Sequence, residues 1–304
     1  MTAKKSVVTQ PETPAMMDTR EVAAYLRLKE RRIYDLVRER AIPHVRGSGK
    51  LLFPRDDIDR WLRERPAQAQ ATPRARPPIV AGSHDPLIEW AVRESASGLA
   101  ILACGSRAGI DALARDEASA ALAHWRDEPS GEYNVPLVQA LLAGRDIVVI
   151  EWARRSQGLL LPAGNPHCVR GLADVARKRL RIATRQPDSG SHRLLAHLLG
   201  SAGLGDDELV HAPRVAHGES EVAAMIAAAE ADVALGIESA AYEHRLAFVP
   251  LAVERVDLVV HRRDAFEPPL QALLAWMRTR AFADKAAALR GYDVGNTGRV
   301  VFNA

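Results

Sequence analysis

From Thr19 onward, apolar residues recur at helical spacing. Val22, Ala23 and Leu26 fall on one face, with Thr19 placed to cap the helix. After a break at Arg27-Leu28-Lys29, Ile33, Leu36 and Val37 form the apolar stripe of a second helix, expected over Glu30–Arg40. Arg31, Asp35 and Arg38 project from its opposite side, with Arg32 and Tyr34 on the flanks. "IPHVRGSGKLLF" changes the period: two short strand-like runs enclose Gly47-Ser48-Gly49, which predicts a hairpin. "PRDDIDRWLRE" returns to helical spacing, with Pro54 near the helix entrance.

The pattern from residue 79 is different. "PIVAGSHDPLIEWAVRE", "GLAILACGSRAGIDALARDEASAALAHW", "LRIATRQPDSGSHRLLAHLL" and "ADVALGIESAAYE" each read as strand, turn, helix. Strands alternating with helices predict an α/β body with mainly parallel sheets. Between head and body lies "RPAQAQATPRARPP", which has four prolines and no apolar period. The expected order is a disordered arm (1–17), a mainly helical head (18–65), a proline-rich linker (66–78) and the α/β body (79–304).

Charge sharpens this division. Residues 18–65 carry a net +4 and residues 77–304 a net −4, although the chain as a whole is only +3. A basic head on an acidic body points to a polyanionic partner for the head. The two cysteines, Cys104 and Cys168, argue against a disulfide framework. The first 18 residues lack the apolar core of a secretory signal, and no apolar run approaches membrane-spanning length. A cytoplasmic protein is expected.

Helix, tight turn, helix, hairpin, helix is the order of a winged helix-turn-helix. The segment "TREVAAYLRLKERRIYDLVRERAIPHVRGSGKLLFPRDDIDRWL" resembles the excisionase/mercury-regulator type of that fold. The second helix would then enter the major groove of duplex DNA, where arginine bonds guanine edges. Lys29, Arg31, Arg32, Tyr34 and Arg38 are the candidate DNA contacts there, with Arg46, Ser48 and Lys50 on the wing. Arg27 stands where such turns often have glycine, and Lys29 where the second helix often has a serine or threonine cap.

In the body, each strand-to-helix junction is rich in serine or glycine: Gly82-Ser83, Gly105-Ser106, Ser189-Gly190-Ser191 and Gly236-Ile237-Glu238-Ser239. Ligands of open α/β sheets bind at the carboxyl ends of strands, and helix N-termini there offer N–H donors. The candidate ligand residues are Ser83, Ser106, Arg107, Arg155, Arg185, Ser189, Gly190, Ser191, Ile237 and Glu238. "AGSHDPL", "GSRAGIDALARDEA", "GEYNVPLVQALL", "RRSQGLLLPAGNP", "TRQPDSGSHRLL", "ADVALGIESAA" and "GYDVGNTGRV" resemble the periplasmic-binding-protein-like domain of molybdenum-related regulators, similar in fold to molybdate-binding proteins. The resemblance implies two α/β lobes of the type II class joined by strands crossing near 146–152 and 256–260. It also implies C-terminal helices that return to the first lobe after Pro268, and a ligand in the cleft. Val256 replaces a tyrosine often found before Asp-Leu, and Asp188 stands where a glycine is expected.

The resemblance makes molybdate or tungstate the expected effector. Both are fully deprotonated at neutral pH and suit a cage of donors alone, whereas phosphate keeps a proton and rewards one acceptor, for which Asp188 and Glu238 are available. Arg107, Arg155 and Arg185 would also suit a larger anion such as molybdenum cofactor. The reading is a one-component transcription regulator, acting as a homodimer on double-stranded DNA. The alternative is a non-regulatory protein of molybdenum-cofactor metabolism. "GSHD" is not a catalytic triad, since adjacent residues do not reach that geometry, and no nucleophile elbow occurs. His167, Cys168, His192 and His197 lack metal-site spacing. Neither an enzyme nor a resident cofactor is expected.

Overall fold

Asp18, not Thr19, caps the first helix of the head, Thr19–Leu26. Its Oδ1 accepts the Glu21 N–H at 2.8 Å, and the Glu21 carboxylate accepts the Asp18 N–H at 2.8 Å. Arg27 ends the helix in the left-handed region, at φ 55°, where the resemblance leads one to expect glycine. Lys29 begins the second helix, Glu30–Arg38, without a side-chain cap bond. The hairpin strands Val45–Gly47 and Lys50–Pro54 follow, then the helix Arg55–Glu64.

The computed structural model describes residues 15–39, 41–47, 49–64 and 75–304. Ser48, Arg40 and most of the proline-rich segment lie outside the described residues. The chain divides at Ala75–Arg76 into two compact units.

The expected arm is corrected at its end. Met16–Met17 is a short strand that pairs antiparallel with Phe53 and Pro54 of the wing. Met17 is fully buried with Val22, Ile33, Leu36, Phe53 and Ile58, because so small a head needs every available apolar side chain in its core.

The body has two lobes on one continuous mixed sheet. In the first, Ile79–Gly82 pairs in parallel with Ala100–Ala103 and Ala120–Ala123. In the second, Arg181–Ala183 pairs in parallel with Val233–Ile237 and Val210–His211. Two long antiparallel strands, Ile147–Leu161 and Ala247–His261, run through both. Asp257–Val260 pair with the first lobe and Gln157–Leu160 with the second. The passage between lobes therefore centres on Arg155 and Glu254. That corrects the crossings expected near 146–152 and 256–260, which pair within the first lobe's sheet. The helices Pro268–Trp276 and Arg280–Leu289 return to the first lobe, where Leu270, Leu273 and Phe282 pack with Trp152, Leu258 and Val256. Val256 is thus a core residue.

The body also begins earlier than expected. Arg76 bonds Asp116 at 2.7 Å and Asp264 at 3.0 Å, and the Pro78 carbonyl accepts the Ala100 N–H at 2.8 Å. Among the described residues, no helix is long and apolar enough to cross a membrane.

Candidate functional site

On the head, the second helix buries Ile33 and Leu36 and leaves Arg31, Arg32, Tyr34 and Arg38 exposed. Arg38 is held by Asp35 at 2.8 Å, and Arg32 lies 3.5 Å from Glu39. Lys29, Arg46 and Lys50 are exposed as well. Between helix and wing is a concavity of about 930 Å³ with Tyr34, Arg38, His44 and Arg46 among its walls. The candidate DNA residues thus lie on the helix and wing as the sequence arranged them, with Ser48 outside the described residues.

In the body, close backbone packing builds the site. Gly82 has φ +120°, and a Cβ there would stand 2.2 Å from the Leu122 carbonyl oxygen. A Cβ on Gly109 would stand 2.4 Å from the Gly82 Cα. With neither side chain present, the helix Ser106–Ala114 lies directly on the strand, and the Ser83 and Ser106 hydroxyls meet at 2.8 Å. The His124 N–H donates to Ser106 Oγ at 3.1 Å. Across the cleft, Gly190 fits against His124. Ser189 caps its own helix, accepting the His192 N–H at 3.1 Å. Ser191 Oγ donates to Glu219 Oε1 at 2.9 Å, and Arg185 Nη1 to the same oxygen at 2.7 Å.

The centre of the passage is a buried ionic network. Arg155 Nε donates to Glu254 Oε1 at 2.5 Å, and Arg155 Nη1 to Asp85 Oδ2 at 2.8 Å. Gln157 Nε2 also donates to Glu254 Oε1, at 2.9 Å, and His124 Nδ1 lies 2.8 Å from Glu254 Oε2. The Tyr292 hydroxyl donates to Asp85 at 2.7 Å, and Asp85 Oδ1 caps the helix Pro86–Glu94 through the Ile88 N–H. Burial works to raise the Glu254 carboxyl, but Arg155 and His124 outweigh it and bring it down to about 2. Burial also works against the Arg155 charge, yet Glu254 and Asp85 hold its pKa well above the ordinary value.

The structure brings together Ser83, Ser106, Arg155, Arg185 and Ser189-Gly190-Ser191, with Ile237 beside them as register partner of Gln157. Arg107, half-buried, lies 3.8 Å from Asp111 on its own helix. Asp188 is exposed, and Glu238 is half-buried against Gly291. The buried carboxylates of this centre are Asp85, Glu219 and Glu254, which the sequence reading missed along with His124, Gln157 and Tyr292. The available signal was alternation: Arg155 and Gln157 are two apart on one strand and face the same way.

Comparison with known proteins agrees with both halves. Residues 16–66 match the helix-turn-helix domain family, and residues 89–278 match the PBP superfamily domain. The Bacillus subtilis protein YvgK is 25% identical over 297 residues, covering 92% of this chain and 96% of its own length. Solved structures share the body's fold. A tungstate ABC transporter from Geobacter sulfurreducens superposes with a TM-score of 0.51 at 14% identity, over 69% of this chain and 97% of its own. A Clostridium perfringens protein with bound phosphate gives 0.53 at 14% identity, over 69% and 96%. The chain belongs to the PBP superfamily domain family, with a helix-turn-helix domain preceding that domain.

Proposed function

We propose that this chain is a one-component, ligand-responsive transcription regulator of the cytoplasm. The head binds double-stranded DNA as half of a homodimer, and the body binds a small tetrahedral oxyanion between its lobes. The observation that carries this reading is the joining, in one chain, of an exposed arginine-bearing helix and wing to a buried polar centre that spans two lobes.

One such head covers little DNA, so two heads on repeated half-sites are expected energetically. The connecting segment is rich in proline and carries little torque, so coupling runs through subunit contacts that change when the lobes close. An effector shifts DNA affinity only by its different affinity for the two arrangements. Molybdate and tungstate are the effectors that the sequence resemblance implies. The hydroxyls of Ser83, Ser106 and Ser239 and the Arg155 guanidinium suit tetrahedral oxyanions more generally.

The test is DNA titration of the full-length protein, followed by anisotropy with and without each oxyanion, on duplexes selected from a random pool. Sedimentation at the same concentrations gives the oligomeric state. A strict monomer with ligand-independent DNA affinity overturns the proposal.

A further inference from the structure

Four buried polar atoms of the interlobe centre have no hydrogen-bond partner among the described residues: Arg155 Nη2, Gln157 Oε1, Glu219 Oε2 and Ser239 Oγ. They belong to one place. Arg155 and Gln157 share Glu254 Oε1. Gln157 is the register partner of Ile237, two residues before Ser239. Glu219 is tied to the same centre through Ser191, whose neighbour Gly190 packs on His124, itself against Glu254. All four side chains are at least nine-tenths buried.

Their chemistry is mixed. Arg155 Nη2 only donates. Gln157 Oε1 and the Glu219 carboxylate only accept, and the Ser239 hydroxyl does either. The Gln157 amide is oriented by its own bond, since Nε2 is the atom held on Glu254. A fully deprotonated anion would satisfy Arg155 and Ser239 but set oxygen lone pairs against Gln157 and Glu219. Unmatched buried acceptors are unfavourable. The basic groups beside these carboxylates are already engaged: Arg155 with Asp85 and Glu254, Arg185 with Glu219, and His124 with Glu254.

Given an anion site between the lobes, as argued above, we propose that its ligand is an oxyanion that keeps an O–H at neutral pH, of which monohydrogen phosphate is the simplest. Arg155 Nη2 and Ser239 Oγ donate to its oxygens, and Glu219 Oε2 or Gln157 Oε1 accepts from its hydroxyl. Molybdate, tungstate and sulfate have the shape but lack the proton.

Calorimetry on the full-length protein at pH 7.5, with phosphate, arsenate, sulfate, molybdate and tungstate, separates these cases. Phosphate and arsenate, which keep a proton, should bind at least tenfold more tightly than the other three. In Glu219→Gln, whose amide can donate, phosphate should weaken and sulfate strengthen, narrowing the gap. If that variant does not fold, the wild-type panel alone decides. Sulfate, molybdate or tungstate binding as tightly as phosphate overturns the proton-bearing ligand and leaves the anion site standing. Binding of none of the five overturns both.

Discussion

Arg155 and Glu254 are register partners on the two strands that cross between the lobes, and their side chains meet at 2.5 Å, out of contact with solvent. The folded Glu254 carboxyl titrates at about 2, below its ordinary 4.5, so the unfolded chain takes up this proton first as pH falls. The stabilisation is complete above that ordinary value and drains away as pH drops through the folded one. Urea unfolding of the protein at pH 7, 4 and 2.5 should show the loss. Glu254→Gln should destabilise by about 3–5 kcal/mol at pH 7, because it leaves the buried Arg155 underpaired, and should flatten the acid limb.

Asp257 behaves in the opposite sense. Burial pushes its carboxyl up from 3.8 to about 6, against the pull of Arg255 and the Asn134 amide. The folded state therefore holds a proton that the unfolded chain has already lost. Stability from this residue falls as pH climbs through that interval and stays lower above it. Asp257→Asn removes the titration, so variant Tm minus wild-type Tm should be more positive at pH 7.5 than at pH 5. An unchanged or reversed difference would refute the assignment.

On DNA, Arg31 and Lys50 should separate. Arg31→Ala, on the exposed face of the second helix, should weaken the best site by about 1–3 kcal/mol and relax its base preference. Lys50→Ala, on the wing, should weaken all duplexes alike and reduce the salt slope by about 1. Anisotropy titrations on selected and random duplexes across a salt series measure both.

Trypsin should cut after Arg74 and release the body with its Arg76 contacts intact. The Arg76 guanidinium is paired with Asp116 and Asp264 and belongs to the body, and the bond after it precedes Pro77, which trypsin does not cut, so cleavage reports on Arg74 alone. Intact mass after limited digestion should give a stable body fragment beginning at Ala75. Failure to cut after Arg74 would mean that the segment before Ala75 is protected.

Met17→Ser tests the head's short third strand. Met17 is fully buried against Phe53 and the two helices, and truncating such a side chain to a polar one should remove about 2–5 kcal/mol. In so small a unit that is enough to unfold it, and circular dichroism of the isolated segment 1–75 would report the loss.

Much of this arrangement was legible from spacing. The stripe Ile33, Leu36 and Val37 placed the second helix, and the Ser/Gly junctions marked where the strands of both lobes end. What escaped the sequence was pairing over distance. Met17 reads as part of an unstructured arm until Phe53 is seen beside it. Glu254 reads as a surface residue in an alternating strand until Arg155, 99 residues away, is found opposite. The sequence also pointed to other acceptors, Asp188 and Glu238. Serines and arginines suggested a cage of donors, but the acceptors that share it come from Asp85, Gln157, Glu219 and Glu254, on four different elements.

The fit of Gly190 against His124 has a mechanical consequence. A Cβ at that position would stand 2.5 Å from both the ring Nδ1 and the carbonyl oxygen of His124, so a single methyl group acts as a doorstop. Gly190→Ala should prop the two halves of the body apart while leaving the fold of each untouched. Under the regulation proposed above, such a protein has its shape change disconnected from the chemical trigger. The propped chain's grip on DNA, set against that of the unmodified chain, then gives the direction of control without knowledge of the effector.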